Sequence, residues 1–437
     1  MKPYEHYKET GLNWFPKIPA HWGMVRNGVL FSEVVDTGYN DLELLSITTD
    51  KGIIKQTDTG RKKRASDDMA KYKRIRPGDI GYNLMNAFMG AIGMSDYEGI
   101  ISPAYAVCRP KVNLNSRYYH YLFRTPLYKQ EFDKNSYGIM YERNRLYFDH
   151  FASISVPAPD IKEQNTIVAY IQTAEEKIDK YIETKQKEIS VLEEYKQTII
   201  NEAVTKGLDR AAQMKDSGIE WIGQIPAHWE VKRFRHIFDT FKGLNITKAD
   251  LQETGIPVIS YGQIHSKANQ GTGIHEDLLR FVDESYLESD KKSLTQEHDF
   301  LFADTSEDVA GIGNCVYVNT SRPLFAGYHT IIARPHGIEF PRYLAFLFLS
   351  DAWRAQLRRI VNGVKVYSVN QKLLNQTNLL LPPVQEQKEI VAYLDGVCEK
   401  LTQTIQNINR QIELLNEYRT TLISDVVTGQ VNVCENP

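Results

Sequence analysis

A duplication constrains this chain more than any single motif in it. The stretch that opens Pro159-Asp160-Ile161-Lys162-Glu163-Gln164 and continues Ile167-Val168-Ala169-Tyr170-Ile171 returns as Pro382-Pro383-Val384-Gln385-Glu386-Gln387 and Ile390-Val391-Ala392-Tyr393-Leu394. At the same offset of 223 residues, Glu194-Tyr195 falls on Glu417-Tyr418 and Val204-Thr205 on Val427-Thr428. An earlier pair repeats as well. Lys8-Glu9-Thr10-Gly11-Leu12-Asn13-Trp14 and Ile18-Pro19-Ala20-His21-Trp22 return as Lys215-Asp216-Ser217-Gly218-Ile219-Glu220-Trp221 and Ile225-Pro226-Ala227-His228-Trp229. Long internal repeats mark repeated folding units. The chain is a tandem of two units, each a globular segment followed by a long helix.

The helical copies fix the architecture. Ile171, Ile178, Lys185, Leu192 and Ile199 recur every seven residues, with Val168, Glu175, Ile182, Ile189 and Lys196 as the companion row. The second copy has Leu394, Leu401, Ile408, Leu415 and Leu422 beside Val391, Cys398, Ile405, Ile412 and Arg419. Two largely apolar rows over this many heptads specify a coiled-coil seam. Residues 160–206 hold neither Pro nor Gly, and a helix of ~45 residues reaches about 65–70 Å. Pro159 and Pro382 precede the first turns, where proline forfeits no internal donor. Gly396 interrupts the second helix, at about 1 kcal/mol relative to Ala. The first helix leaves module one and arrives at module two, so pairing the seams makes the second run back antiparallel. The predicted fold is α+β, two pseudo-two-fold-related globular domains separated by a two-helix antiparallel coiled coil. The predicted boundaries are 1–157 and 209–380 for the domains, 158–208 and 381–430 for the helices, and 431–437 for a tail.

Within each module, short apolar runs alternate with turns. Leu42 to Thr48 and Ile100 to Arg109 read as strands, Pro77-Gly78-Asp79 as a turn, and Ser116 to Gln130 as an amphipathic helix. Module two repeats the order, with His298-Asp299-Phe300 for Gly78-Asp79-Ile80, Gly311-Ile312-Gly313 for Ala91-Ile92-Gly93 and Arg334-Pro335 for Arg109-Pro110. Strands without regular βαβ alternation argue α+β. His21 and His228 read as buried packing histidines.

Composition sets the class. Hydrophobic residues are 42% and charged residues 24% of the 437, ordinary for a globular protein. No apolar run approaches the ~20 residues of a membrane span, and Met1 to Thr10 lacks the apolar core of a signal peptide. The cysteines Cys108, Cys315, Cys398 and Cys434 form no CxxC or zinc-like spacing, so a reduced, cytoplasmic setting is expected. Net charge is −3, yet residues 1–150 hold 22 Lys+Arg against 17 Asp+Glu. The acid lies on the helices, and a local basic surface can bind phosphate whatever the overall balance.

The chain has no P-loop, GxGxxG, HExxH or GxSxG motif. Two similar but non-identical modules on a rigid spacer suggest a ruler whose ends each read something. Duplex DNA fits, because two-fold readers place half-sites about one helical turn, or a multiple of it, apart. A two-module scaffold for protein or polysaccharide ligands is the alternative.

The Pro-x-x-x-Glu-Gln helix openings, the helix ends Glu202-Ala203-Val204-Thr205-Lys206-Gly207 and Asp425-Val426-Val427-Thr428-Gly429-Gln430-Val431, the Ile225-Pro226-Ala227-His228-Trp229 segment and Gly255 to Ile264 together resemble the specificity subunit of type I restriction-modification systems. The resemblance covers essentially the whole chain. It implies two target-recognition domains reading a bipartite asymmetric site, and a chain that is itself non-catalytic. It also implies two methyltransferase subunits docked on the helices, around Glu163, Gln164, Glu386 and Gln387, and a restriction/translocase subunit joining them. S-adenosylmethionine, ATP and Mg are then expected in those partners and no cofactor in this chain.

Candidate DNA contacts follow from side-chain chemistry. Arg61-Lys62-Lys63-Arg64 is a loop run suited to phosphates, and arginine can fork onto guanine. Neutralising it should weaken binding and flatten the salt dependence. Arg143 and Arg145 lie in a polar, aromatic loop, and Lys365 in its module-two echo. Lys242, Asn245, Tyr261 and Gln263 complete the set, with Gln263 suited to adenine. Asp304-Thr305-Ser306-Glu307 reads equally as a structural turn or a reading loop. On the seam, Glu175 and Arg419 are expected to form an ion pair or a shared partner-docking point.

Overall fold

A computed structural model describes residues 2–60, 69–138, 144–361, 363 and 366–434. The chain forms two compact units, Met1–Lys185 with Asn409–Pro437, and Gln186–Ile408. Each unit holds one globular module and a part of both long helices.

Module one is built on a four-stranded antiparallel sheet. Its strands are β1 (Phe31–Glu33), β2 (Ile80–Asn83), β3 (Ile92–Met94) and β4 (Tyr105–Pro110), in the order β1-β4-β2-β3. Cys108 faces Ile80 and Tyr105 faces Asn83 across the central pair. The helices α1 (Ser116–Phe123) and α2 (Pro126–Lys134) follow. The sequence had suggested one helix here. It breaks because Thr125 caps a new start, its hydroxyl accepting from the Tyr128 amide, with Pro126 at the first helical position, where proline is pre-set. The long strand expected over Ile100–Arg109 also divides, into Gly99–Ile101 and β4. Beneath the sheet Phe31, Tyr119, Phe123, Tyr128, Phe132 and Phe151 are fully buried. Many of their rings meet edge to face, a geometry worth about 0.5–1.5 kcal/mol per pair beyond area burial.

Module two repeats the plan. Its strands β5 (Phe238–Lys242), β6 (Phe300–Ala303), β7 (Cys315–Tyr317) and β8 (Thr330–Pro335) lie in the order β5-β8-β6-β7, with Ala333 facing Phe300 and Thr330 facing Ala303. This is the module-one register. The helices α4 (Arg342–Leu349) and α5 (Asp351–Ile360) complete it, the second capped by Ser350 as α2 is by Thr125. One expected correspondence shifts. Ile92 pairs with Tyr82, and its counterpart opposite Phe302 is Cys315, so Gly311-Ile312-Gly313 is a turn inserted before the strand.

Both sheets share a buried ion pair that sequence comparison showed only as matching letters. Arg109 donates Nε and Nη2 to the two oxygens of Asp79, at 3.0 and 2.9 Å, and Arg334 does the same to Asp299, at 3.0 and 2.8 Å. Asp79 is 3% exposed and Asp299 0%. Each carboxylate also accepts the amide three residues before it, from Arg76 and Gln296, closing the turn into β2 and β6. That turn needs a left-handed residue. Module one uses Gly78 (φ 89°), whereas module two uses His298 (φ 78°), tied down by Tyr317 Oη at 2.6 Å from its Nδ1.

The long helices are α3 (Ile161–Lys206) and α6 (Val384–Val427). Their heptad rows face inward in each unit. The row members Val168, Ile171 and Leu422, with Ile167, Val426 and Val427 beside them, join the core of unit one, and Val391 and Leu394, with Ile200, Ala203, Val204 and Ile390, that of unit two. This shared core is why the compact units include helix along with module. Asp179 meets Arg419 in unit one and Lys196 meets Thr402 in unit two. One number rises by 17 as the other falls by 17, which is an antiparallel register. The expected Glu175–Arg419 pair is not formed. Arg419 reaches Asp179, one turn further on, and Glu175 instead accepts from the Tyr121 hydroxyl at 2.6 Å. Among the described residues no helix is long and apolar enough to cross a membrane.

Candidate nucleic-acid interface

In each module the sheet ends on a polar groove. The module-two groove, of about 740 Å³, lies where β5 runs out and β8 begins. Lys242 and Asn245 stand exposed on its wall, and Lys372 also lines it. Gly243 between them is required. A Cβ there would collide with the Gly327 carbonyl and the Thr330 hydroxyl. The backbone can therefore lie flat against Ala326, to which Leu244 donates at 2.8 Å.

The rim of this groove is aromatic. The Tyr261 ring lies 5.6 Å from Tyr328 and 5.4 Å from His329. His329 sits at φ 56°, a left-handed conformation costing about 1–3 kcal/mol in a residue with a side chain. Its Nδ1 meets Asp304 Oδ1 at 3.1 Å, and its carbonyl accepts the Asp304 amide at 3.1 Å. Asp304 therefore lines the groove, while Thr305–Ser306 is a short strand paired with Tyr367–Ser368. Gln263 is partly committed, its Oε1 accepting the Ser260 amide at 3.2 Å to cap the short helix Tyr261–Ile264.

The module-one groove, of about 770 Å³, is lined by Ser46, Thr48, Thr49, Asp50, Lys51 and Gln56, with Asn86 and Tyr105 at the ends of the sheet strands. Arg124 on the helical side supports it. Nη1 donates to the carbonyls of Gly90 and Ile92 at 2.8 and 3.1 Å, while Nη2 donates to those of Thr49, at 3.1 Å, and Asp50. His120 packs beneath the same loop, 3.0 Å from where a Gly52 Cβ would lie, and its Nδ1 accepts the Met94 amide at 3.2 Å. Burial pushes the His120 pKa well below its ordinary value, helped by the nearby Arg124 and Arg117.

The structure places Lys242 and Asn245 on one groove, Tyr261 against the Tyr328 and His329 rings that line it, and Gln263 on the same short helix as Tyr261. Arg145 is exposed elsewhere in module one. Its backbone pairs with Tyr137, whose half-exposed ring lies 4.4 Å from His150. Arg61, Lys62, Lys63, Arg64, Arg143 and Lys365 lie outside the described residues. Tyr328, His329 and Arg124 were missed. The signal for the first two was available, since a bulky Gly327-Tyr328-His329 precedes β8 where module one has Ser102-Pro103-Ala104. Arg124 gave none, being one arginine on an amphipathic helix. Among the described residues no group of His, Cys, Asp or Glu is placed to hold a metal ion.

The helix-opening residues turn inward. Glu163 accepts from the Tyr4 hydroxyl at 2.8 Å and meets His21 Nε2 at 2.9 Å. Glu386 accepts from the Trp229 indole at 3.1 Å and meets His228 Nε2 at 2.7 Å. Gln164 bridges the Pro159 carbonyl and the Asn115 amide, both at 2.8 Å, and Gln387 donates to the Pro382 carbonyl at 2.8 Å. Glu163, Gln164 and Gln387 are buried. A docking role for them is corrected by this geometry, because their polar atoms tie each helix to its own module. His21 and His228 are corrected too. Their side chains are 57% and 49% exposed and face carboxylates far away in sequence. The far helix ends arrive at the same places. Gly429 (φ 75°) packs on Pro19 and Trp22, and Gly207 (φ 71°) on Trp229 and Glu386, each in the left-handed conformation that closes a helix.

Residues 226–414 match the family model described as Type I restriction modification DNA specificity domain. The chain is 23% identical over 320 residues to the Methanocaldococcus jannaschii type I restriction enzyme MjaVIII specificity subunit, covering 72% of this chain and 70% of that one. It is 21% identical over 381 residues to the Escherichia coli type I restriction enzyme EcoKI specificity subunit, covering 84% and 78%. Its fold matches a chain solved in work on complex assembly and conformational transition of the type I R-M system, with a TM-score of 0.66 at 17% identity over 95% of this chain and 99% of that one. It also matches the HsdS subunit from Thermoanaerobacter tengcongensis, with a TM-score of 0.51 at 16% identity over 97% and 100%.

Proposed function

From its similarity to type I restriction-modification specificity subunits, we propose that the chain is a member of that family and reads a bipartite, asymmetric DNA sequence, one half-site per module. The observation that carries this reading is duplication with divergence. The two sheets share strand order, register and the buried Asp–Arg pair, while their grooves present different side chains. A conserved frame with two different surfaces suits two different half-sites. The exposed lysines and amides of the grooves suit phosphates and base edges respectively.

The chain has no catalytic role in this proposal. Two methyltransferase subunits and a restriction/translocase subunit are its partners, and S-adenosylmethionine, ATP and Mg belong to them. The helices offer partners the exposed rings of Tyr181, Tyr195, Tyr393 and Tyr418, amphipathic side chains of the kind enriched at interfaces. A cytoplasmic location follows from the DNA target. The test is methylation mapping of cells carrying and lacking the chain, paired with duplex binding by the reconstituted methyltransferase complex. A methylated motif in two parts separated by a fixed spacer is expected. An unchanged methylation pattern with no duplex binding overturns the reading in favour of a two-module scaffold.

A further inference from the structure

Resting on the DNA-reading role above, we infer that the Asp304–His329 pair reads an exocyclic base amine in the half-site of module two. A chain of hydrogen bonds of fixed direction leads to Asp304. Thr305 Oγ1 donates to Asp304 Oδ1 at 2.7 Å. His265 Nε2 donates to the Thr305 carbonyl at 2.7 Å, which leaves its Nδ1 to accept from Asn314 Nδ2 at 3.0 Å. Asp304 is thereby held at its own backbone and through its neighbour. As a carboxylate it only accepts, so the proton of His329 belongs on Nδ1, 3.1 Å away.

That assignment fixes the other nitrogen. In the neutral ring Nε2 carries a lone pair, pointing away from Asp304 on a side chain that is 58% exposed. Among the described residues nothing hydrogen-bonds to it. The left-handed backbone of His329 and the flanking Tyr261 and Tyr328 rings hold the imidazole at the groove rim. An oriented acceptor at a groove edge matches the amine of adenine or cytosine, the donors that the major groove displays. It mismatches guanine and thymine, which place carbonyl oxygens at the corresponding positions. Asp304 is a positioning residue here, and His329 is the reader. Module one has Ala104 in the equivalent turn, so this contact belongs to one half-site.

The experiment uses the full chain assembled with its methyltransferase subunits, assayed at about pH 8.5, where an imidazole is neutral. Methylation is read on duplex libraries randomised at each position of the motif in turn. The wild type should prefer A or C at one position of the module-two half-site by roughly 5- to 150-fold, the range for one good base contact. His329→Ala should flatten that position alone and leave the module-one half-site intact. Asp304→Asn, of the same shape, frees the imidazole to adopt its other tautomer and should shift the preference toward the acceptor-bearing bases. His329→Gln keeps an acceptor and should retain part of the wild-type preference, which guards against a fold defect in the alanine variant. Unchanged preferences in both His329→Ala and Asp304→Asn overturn the inference while leaving the DNA-reading role standing. So does a uniform loss of binding with preferences unchanged, which would make His329 a phosphate contact. A wild-type complex that neither binds nor methylates duplex DNA overturns both.

Discussion

The two grooves rest on matching sheets but are lined and supported by different side chains. In module one the loop over the sheet hangs from Arg124 and packs on His120. In module two, where Thr125 and Ser350 are equivalent caps, the matching positions are Leu349 and Ala345. There Leu349 packs against Gly271, as His120 does against Gly52, and Arg342 of α4 donates to the Thr272 carbonyl, while a further polar network joins Asp304, His329 and His265 beside the groove. The difference separates what the fold needs from what a surface needs. The Asp–Arg pair is common to both copies because the sheet depends on it. The loop supports have diverged because they fit the particular loop they hold.

Four changes would test that separation. The largest effect belongs to the shared part. Asp79→Asn or Asp299→Asn leaves a partly buried guanidinium without its counter-charge and should destabilise the affected unit by about 3–5 kcal/mol. Denaturant unfolding should show comparable losses for the two, and a loss in one module alone would mean the frames are not equivalent. Second, Arg124→Leu removes charged donors from four carbonyls and should cost unit one about 2–3 kcal/mol. In the assembled methyltransferase it should relax sequence preference in one half-site only. Loss of preference in both halves would show that the supports are not local.

The third is a pH effect. His120 has its pKa lowered from 6.5 by burial, so the unfolded chain binds its proton first. Its contribution is complete above pH 6.5 and is lost as pH falls toward the folded value, by up to about 1.4 kcal/mol per pH unit. His120→Gln should flatten the acid limb of unit-one stability, and an unaltered limb would exclude His120 as its source. Unit two has Ala345 at that position and should lack this component. The smallest effect concerns the helices. Gly396, exposed with nothing near its Cβ, stands where the first copy has Thr173. Gly396→Ala should stabilise by up to about 1 kcal/mol, visible as a higher thermal midpoint. A decrease would mean the glycine serves a backbone contact.

The frame was legible because it repeats. Heptad rows, helix-opening prolines and matched strand letters each occur twice, and each copy corrects errors in reading the other. The helix seam carries local periodicity, so its inward rows follow from spacing alone. The site was legible only in part. Lys242 and Asn245 stand out by their chemistry and line one groove, with Tyr261 packed against the rings that border it. Tyr328 and His329 depend on a turn conformation that no local pattern specifies. Arg124 acts through backbone carbonyls up to 75 residues away in sequence, and carbonyls leave no trace in a sequence. Glu163 and Glu386 misled for a related reason. A repeated charged pair at a helix start suggests a surface, yet tertiary partners fold it inward.

The division of the chain between its units also has a consequence for how it is made. Unit two is one uninterrupted stretch, whereas unit one joins the opening residues to the last helical turns through Tyr7 and Gly429, Lys2 and Asn432, and Tyr118 and Val427. The matching closure in unit two, Tyr343 to Val204, spans 139 residues against 309 for Tyr118 to Val427. By loop-closure entropy that difference is only about 0.7 kcal/mol, too little to rank the units by stability. Vectorial synthesis ranks them instead. As the chain leaves the ribosome, module two can close while module one still waits for its final strap, with Ile171 and Ile178 uncovered. The reader that begins first is finished last.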